Sequence, residues 1–354
     1  MVSEYTAKIK VTMPKGDVTS KMPTFYNPVM VSNRNISITL LNNLKKQDLK
    51  IAMPLAGSGI RAIRFLMELE DSKINKIYLN DLKEDFKKTI THNFKKSNLC
   101  NELIDKTTIS NNDATIFLLN QTGLDYIDID PFGSPNPFLA AAIASISRGG
   151  ILAITATDTA ALTGTYPKVT KRKYWARNIR NYLMHETGLR ILIRKVQLQG
   201  SQFDKALIPI LSYHKDHYFR VYFKVTKGKI KTDEMINQHQ YLLFCPKCLK
   251  YEVSTHNKKT CCKQPANFLG PMWCGKLFDK NLTKRMAKNN QFKEDQKFLD
   301  LLASESNFDE VGFQDLHQIA RVKSVSAKSV IKILNKEINS RTHFSLYGIK
   351  GKLK

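Results

Sequence analysis

The residue types best suited to chemistry lie at positions 126–133, YIDIDPFG. An apolar run with strand character ends there in Asp130, which is followed by Pro131 and Phe132. This order suits methylation of an amino group on a planar base, because the Asp130 carboxylate and the Pro131 carbonyl can accept hydrogen bonds from its two N–H groups. Phe132 would stack on the base. The structural alternative is a turn in which Asp130 caps a helix.

The chemical difficulty of such a reaction is that the nitrogen lone pair is delocalised into the base ring. Two acceptors favour a pyramidal nitrogen, so the site must mainly align nitrogen, methyl carbon and sulfur. After transfer the nitrogen is strongly acidic, and Asp130 is a suitable proton acceptor.

A glycine-containing loop at positions 54–61, PLAGSGIR, is the first candidate for a cofactor site. Gly57 and Gly59 permit a tight turn and close approach of a ligand to the backbone. Position 62 is Ala, so the third glycine of a dinucleotide fingerprint is missing. The shorter pattern suits S-adenosylmethionine (SAM), which carries no phosphate.

Acidic residues follow the next two predicted strands. Asp81 comes 22 residues after Gly59, where it can accept the ribose hydroxyls of an adenosine. Asp113 closes the third strand and can meet the adenine amino group. Either acid alone would more simply cap a helix. Three consecutive strand ends in this order favour the cofactor site.

Five of the six cysteines lie beyond residue 240, a pattern that disfavours a secreted disulfide framework. Residues 245–248, CPKC, have the spacing of half a zinc knuckle, but adjacent cysteines replace the expected second C-x-x-C. The predicted zinc ligands are Cys245, Cys248, Cys261 and Cys262.

Other residues in and outside this region leave alternatives open. His256 and Cys274 are lesser candidates for the third ligand, and the whole group is alternatively a degraded site of buried thiols. Cys100, far from the group, is expected in the core.

The surrounding pattern predicts the elements that position these residues. Short apolar runs predict strands at 48–55, 76–80, 107–111, 125–129 and 150–156. Amphipathic segments predict helices at 60–70, 82–97 and 137–147. Their alternation indicates an α/β fold with a doubly wound, mostly parallel sheet. Residues 217–225, HYFRVYFKV, suit an antiparallel strand near the sheet edge.

Length predicts two domains, since 354 residues exceed one ordinary core. Residues 226–237 are polar and predict a linker, so we place the boundary near 228. Residues 1–228 would form the catalytic domain. Residues 229–354 would form a smaller α+β domain that binds nucleic acid and ends in helices at 313–320 and 326–339.

The charge balance points to a nucleic acid. Lys and Arg total 56 against 31 Asp and Glu, a net charge of +25. Such a surface attracts polyanions, although a solvated lysine surface is the alternative. The segment 276–297 concentrates this charge and predicts phosphate contacts, or else an ordinary solvated helix face. Its basic residues are Lys276, Lys280, Lys284, Arg285, Lys288, Lys293 and Lys297.

No secretory signal is visible at the start of the chain, and no apolar run is long enough for a transmembrane helix. We therefore expect a cytoplasmic, intracellular protein with no membrane partner. No obligate protein partner is evident.

Taken together, short motifs along the chain resemble the tRNA (guanine-26-N2) dimethyltransferase family. The matching segments are 25–30 (FYNPVM), 33–34 (NR), 59–65 (GIRAIRF), 128–135 (DIDPFGSP), 155–160 (TATDTA), 185–190 (HETGLR), 217–222 (HYFRVY), 270–273 (GPMW), 340–344 (SRTHF) and 348–350 (GIK).

The resemblance implies a class I SAM-dependent methyltransferase that mono- and dimethylates N2 of a tRNA guanine, with Asp130 as the catalytic carboxylate. Arg34 and Arg61 would hold the methionine carboxylate of SAM. The cofactor contacts it implies are Arg34, Arg61, Asp81, Asp113 and Ala114. A base stacked in a duplex cannot reach such a pocket, so the guanine must be extruded or lie at a helix junction.

Two positions depart from the family pattern. Met53 stands where the first strand usually carries an acid, and Lys259 stands at the third zinc-ligand position. Two other functions stay open: an amino methyltransferase acting on another tRNA guanine or on adenine in DNA or RNA, and a non-catalytic RNA-binding protein.

Overall fold

A computed structural model describes residues 1–11, 26–324 and 340–351. Its strands are β1 (Val2–Glu4), β2 (Ala7–Ile9), β3 (Leu49–Met53), β4 (Ile74–Asn80), β5 (Thr107–Ser110), β6 (Leu124–Ile129), β7 (Ile146–Ala156), β8 (Lys205–Lys215), β9 (Tyr218–Lys227), β10 (His239–Phe244), β11 (Tyr251–Ser254), β12 (Thr260–Cys261), β13 (Gln264–Pro265), β14 (Asn267–Trp273), β15 (Gln314–Asp315), β16 (Ser340–Arg341) and β17 (Gly348–Lys350).

Its helices are α1 (Val31–Asn42), α2 (Ile60–Glu68), α3 (Phe86–Lys96), α4 (Asn101–Asp105), α5 (Ala114–Leu119), α6 (Leu139–Ser145), α7 (Thr159–Leu162), α8 (Pro167–Tyr174), α9 (Met184–Ser201), α10 (Lys229–Ile236), α11 (Lys280–Lys288), α12 (Gln296–Glu305) and α13 (Leu316–Lys323).

The chain divides into two compact units whose segments alternate along the sequence. The first contains 1–157, 222–226 and 288–295, and the second contains 158–221, 227–287 and 296–354. The predicted domain boundary near 228 stays a prediction.

The seven-stranded sheet has the order β5-β4-β3-β6-β7-β9-β8. Strands β3 to β7 pair in parallel, with Ile51 opposite both Ile77 and Tyr126. Only two residues join β8 to its neighbour β9, so these two strands run antiparallel. The predicted doubly wound sheet, with an antiparallel strand near its edge, is confirmed.

Within the first unit, the central strands of this sheet are buried on both faces, as parallel strands require. Every residue of β6 is buried, and Ile51 and Leu152 on its two neighbours are fully inaccessible. With the interior filled by apolar side chains, polar groups collect at the carboxyl ends of the strands. In open α/β sheets this edge is where ligands bind.

In the second unit the long helix α9 packs against β8 and β14. Smaller sheets have the orders β11-β10-β14 and β15-β17-β16. The fully buried Glu186 on α9 accepts hydrogen bonds from Arg190 Nε at 2.9 Å and Lys350 Nζ at 3.0 Å. These contacts attach the C-terminal strand β17 to the helix.

A second buried acid, Glu305, fixes the segment before β17. Its carboxylate accepts hydrogen bonds from Thr342 Oγ1 at 2.7 Å and contacts His343 Nδ1 at 2.6 Å. Burial alone would raise the pKa of Glu305, but His343 and Lys350 lower it to about 2. The motifs at 340–344 and 348–350 therefore supply polar and basic partners to the buried carboxylates of Glu186 and Glu305.

Three local predictions need correction. The predicted linker 226–237 contains the end of β9 and helix α10, because Thr232 and Met235 are buried and the helix packs on α9 and β8. The predicted helix 313–320 begins later, at Leu316, where the Asp315 side chain caps it. The expected core residue Cys100 is exposed, just before α4.

Other expectations fall outside the described residues, namely the helix at 326–339 and the first residue of the motif 25–30. Within the described parts of the chain, no helix is both long and apolar enough to cross a bilayer.

Candidate functional site

A cleft at the carboxyl ends of β3 and β6 brings together four of the predicted site residues, Arg34, Gly57, Arg61 and Asp130. The other predicted residues do not line it, namely Gly59, Asp81, Asp113, Ala114, Pro131 and Phe132. We call it the Asp130 cleft, and its polar wall is formed by Arg34, Gly57, Arg61, Asp128 and Asp130. Met53, at the end of β3, also lines it and is 2% exposed. The neutral side chain noted in the sequence therefore lies at the cleft wall.

The glycine loop that borders the cleft has the backbone that its sequence predicts. Gly57 and Gly59 have φ values of 56° and 76°, in the left-handed region that favours glycine. A Cβ at Gly59 would lie 1.8 Å from Ile90 Cδ1, so no larger residue fits without rearrangement.

Asp81 is tied to this loop. Its Oδ2 accepts a hydrogen bond from Gly57 N at 2.8 Å, and its Oδ1 accepts one from Lys83 N at 3.2 Å. Both oxygens are thus oriented by backbone N–H groups, which leave further lone pairs for ribose hydroxyls.

Asp113 behaves as the helix-capping alternative describes. Its Oδ1 accepts hydrogen bonds from Thr115 N at 2.8 Å and Ile116 N at 3.2 Å, at the start of α5. Ala114, the first residue of that helix, is buried. The adenine contacts predicted for these two residues stay predictions.

The Asp130 carboxylate is held by Arg61, 69 positions earlier in the chain. Arg61 Nη2 donates to Asp130 Oδ2 at 2.6 Å and to Asn33 Oδ1 at 2.8 Å. Arg61 Nη1 donates to Ser37 Oγ at 3.0 Å and lies 3.5 Å from Asp128 Oδ2. The Asp130 side chain keeps 23% of its surface exposed, so it is both oriented and accessible.

The turn after Asp130 is fixed to the next strand end. Gly133 N donates to Thr157 Oγ1 at 2.7 Å, and Thr157 N donates to Gly133 O at 2.9 Å. Pro131 is buried, whereas Phe132 is 45% exposed. A large ring at the surface beside a carboxylate is the arrangement that base stacking requires.

Arg34 has a different environment from the one expected for it. Its guanidinium donates to both oxygens of Glu4, with Nε to Oε1 at 2.7 Å, and its Nη2 also donates to Asn27 O at 3.2 Å. Burial opposes ionisation of Glu4, but the ion pairs with Arg34 and Arg64 lower its pKa. Arg34 therefore lines the cleft with its guanidinium ion-paired to Glu4.

The four predicted zinc ligands also come together. The Sγ atoms of Cys245, Cys248, Cys261 and Cys262 all lie within 4.8 Å of one another. Cys248 and Cys261 are 3.6 Å apart, and Cys261 and Cys262 are 3.9 Å apart. Four sulfur atoms around zinc at about 2.3 Å are separated by about 3.8 Å, so this group, the cysteine cluster, fits a tetrahedral zinc ion.

A tight hairpin explains how two adjacent cysteines face one point. Strands β12 and β13 pair with Cys261 opposite Gln264, and the two residues between them have φ values of 52° (Cys262) and 63° (Lys263). Positive φ at both positions is the mark of a type I′ turn. This reversal directs the Cys262 side chain towards that of Cys261.

The other half of the cluster is a short turn from Cys245 to Leu249, closed by a 2.9 Å hydrogen bond from Leu249 N to Cys245 O. Backbone N–H groups of Cys248 and Lys247 lower the pKa of the Cys245 thiol to about 6, which favours the thiolate that zinc binds. Neither lesser candidate, His256 or Cys274, belongs to the cluster of described residues.

Comparison with known proteins identifies the family. Residues 5–354 match the family model described as N2,N2-dimethylguanosine tRNA methyltransferase. The chain belongs to this family.

Full-length relatives agree. The chain is 41% identical to the tRNA (guanine(26)-N(2)/guanine(27)-N(2))-dimethyltransferase of Aquifex aeolicus, covering 97% of this chain and 91% of that one. It is 36% identical to the tRNA (guanine(26)-N(2))-dimethyltransferase of Pyrococcus abyssi, covering 99% and 95%. The family resemblance and the methyltransferase class are confirmed.

A solved structure extends the match to the fold. Trm1 from Pyrococcus horikoshii, in complex with S-adenosyl-L-methionine, superposes with a TM-score of 0.85 at 32% identity, covering 100% of this chain and 96% of that one. The predicted SAM methyltransferase fold is confirmed.

Three residues at or behind the Asp130 cleft were not predicted as site residues. Asp128 lines the cleft, Asn33 contacts Arg61, and Glu4 contacts Arg34. Asp128 had a signal, because it lies two positions before Asp130 and alternate strand residues share a face. Asn33 lies in a motif that carried the family resemblance. Glu4 had no local signal, since its partners Arg34 and Arg64 are 30 and 60 positions away.

The basic side chains of the segment 276–297 lie on a solvated surface. All seven of its lysines and arginines are exposed, and Lys276 Nζ pairs with Asp309 at 2.9 Å. Its aromatic residues Phe278 and Phe292 are buried. The segment therefore offers positive charge without rings for stacking.

Proposed function

We propose that this chain uses SAM to methylate, in two successive steps, the N2 amino group of a tRNA guanine, at position 26 as the relatives' names state. The observation that carries the proposal is the Asp130 carboxylate, oriented by Arg61 at a strand end and still accessible from the cleft. The proposed location of the protein is the cytoplasm, where tRNA is abundant.

The amino group is held by two acceptors in this proposal. Asp130 and the Pro131 carbonyl accept the two N–H bonds, while the half-exposed Phe132 stacks on the guanine. The Gly133–Thr157 hydrogen bonds hold the turn that carries these groups in one geometry. The entropy cost of ordering the turn is therefore met during folding, before the substrate binds. Asp130 then accepts the proton that the methylated nitrogen releases.

The same geometry supports a second transfer. After the first methylation one N–H group remains. Asp130 can again accept a hydrogen bond from it if the added methyl group points away from the carboxylate. Arg61 keeps the carboxylate oriented throughout, because it donates to Asp130 from a guanidinium that Asn33 and Ser37 also fix.

SAM supplies an electrophilic methyl group on a sulfonium sulfur. Asp81 is suited to its ribose hydroxyls, and the loop with Gly57 and Gly59 lets it approach the backbone. Arg61, with Arg34 beside it, would hold the methionine carboxylate. Met53 offers no charge to the ammonium group, so Asp128 and Asp130 supply the negative charge of this cleft.

The remaining functional assignments concern the C-terminal part. Residues 229–354 would bind tRNA, and residues 1–228 would carry the chemistry. The cysteine cluster would hold a structural zinc ion, because four sulfur ligands complete a tetrahedron and leave no position for a substrate.

The test incubates the full chain with labelled SAM and an unmodified tRNA transcript, followed by nucleoside analysis. We expect label in N2-methylguanosine first and N2,N2-dimethylguanosine later. A transcript with adenine at position 26 is the matched control and should take up little label. Label in N6-methyladenosine, or none at all, would overturn the proposal.

A further inference from the structure

Helix α8 and its flanks carry a second concentration of positive charge. Residues 166–180, YPKVTKRKYWARNIR, contain six lysines and arginines and not one acid. Lys168, Lys171 and Arg172 are exposed and lie at the i, i+3 and i+4 positions that share one helix face. Trp175 follows at i+7.

Trp175 has an unusual backbone conformation for its size. It ends α8 with φ 53° and ψ 37°, the left-handed conformation that helices normally give to glycine at this position. A bulky residue there is disfavoured, and such outliers cluster at functional sites. The ring is not hidden either, since 50% of the residue is exposed.

The indole is nevertheless held in place. Lys195 Nζ lies 3.1 Å from its ring centroid, and this lysine is itself 6% exposed. A buried ammonium group against one face anchors the ring by a cation–π contact while the residue keeps half its surface in solvent. A second exposed aromatic, Tyr166, lies at the other end of α8 and is 60% exposed.

We infer that the α8 surface, formed by Tyr166, Lys168, Lys171, Arg172, Trp175 and Arg177, binds the tRNA substrate, with Trp175 stacking on an unpaired base. Basic side chains that follow the backbone, interleaved with exposed rings, are the means by which proteins grip unpaired nucleotides. The inference rests on the proposed function, which supplies the RNA.

The acid Asp158 lies beside this surface. Asp158 pairs with Lys173 at 3.4 Å and accepts a hydrogen bond from Tyr174 Oη at 2.6 Å, so it is engaged beside the stripe of Lys168, Lys171 and Arg172. The α8 surface differs from the segment 276–297 because it combines charge with exposed aromatic rings.

The experiment measures equilibrium binding of the full chain to an unmodified tRNA transcript between about 50 and 200 mM salt. Trp175→Gly should bind about 5- to 150-fold more weakly, the range for loss of one stacked base. Trp175→Phe keeps a ring and should stay within about threefold of wild type. Glycine suits the left-handed backbone, so folding should survive, and thermal melting checks this.

Charge reversal gives a second, independent arm. Lys171→Glu with Arg172→Glu should weaken binding and make the salt dependence shallower by about two ions. Lys95→Glu with Lys96→Glu on α3 makes the same change in net charge at exposed positions outside both proposed tRNA-binding regions and should leave binding near wild type.

Two failures can be told apart. If wild type binds and methylates the transcript while Trp175→Gly and the Lys171/Arg172 reversal bind equally well, the α8 surface is refuted and the proposed function stands. If wild type neither binds nor methylates tRNA, the proposed function fails and takes this inference with it.

Discussion

The Asp130 cleft draws its polar groups from distant parts of the chain, whereas the cysteine cluster draws four sulfur atoms from residues 245–262. Asp130 is 69 positions from Arg61, which is 28 positions from Asn33. In the cluster, two local turns do most of the work. The cleft therefore depends on the whole parallel sheet, while the cluster needs only its two turns to persist.

This difference predicts how substitutions in the two regions affect activity and stability. A change at Asp130 should alter chemistry or ligand affinity with little loss of stability, because its side chain keeps 23% of its surface exposed. A change in the cluster should cost stability first, because a zinc ion bound by the four cysteines would link its two turns.

The largest effect is expected from Asp130→Ala. Loss of the acceptor for the amino N–H and for the released proton should lower methyl transfer by about 10²- to 10⁴-fold. SAM binding, measured by calorimetry, should persist, because Arg61 retains Asn33 and Ser37. Glu102→Ala, at an exposed acid on α4, is the control. Normal turnover by the Asp130 variant would refute the assigned role.

The next effect concerns the cysteine cluster. Wild type should contain one zinc ion per chain by elemental analysis, and Cys248→Ser should lose it and melt several degrees lower. Cys100→Ser changes an exposed thiol outside the cluster and should match wild type in both measurements. Full zinc content in Cys248→Ser, or a zinc-free wild type, would contradict the assignment.

The smallest of the three is expected from Arg61→Lys. One ammonium group cannot reproduce the guanidinium's contacts with Asn33, Ser37 and Asp130, so SAM affinity should fall by about tenfold. Calorimetric titration measures this, with Arg148→Lys on the exposed part of β7 as its control. Unchanged affinity would show that Arg61 serves the protein structure alone.

Much of the first unit was predictable because its signals are local. A parallel strand buried on both faces reads as a short apolar run, and the residue after it lies at the ligand edge of the sheet. The strands β3 to β7, the glycine loop and the turn after Asp130 were all predicted in this way. The helix α10 was missed because its buried face consists of only Thr232 and Met235.

Pairings across long sequence distances were not predictable from one sequence. No pattern at Glu4 announces Arg34 and Arg64, and no pattern at Cys100 distinguishes an exposed thiol from a buried one. The αL conformation of Trp175 was equally hidden, because a tryptophan gives no sequence signal for a position that glycine normally takes.

The amino-acid sequence by itself determined the parallel sheet, the order of its functional strand ends, the family and the set of clustered cysteines, because apolar periodicity and turn residues act over a few positions. Only the tertiary structure decided that Arg61 donates a hydrogen bond to Asp130, that Glu4 forms an ion pair with Arg34, and that the Cys262 side chain faces that of Cys261. Those outcomes depend on which side chains packing brings within about 3 Å, a distance that spacing along the chain does not encode.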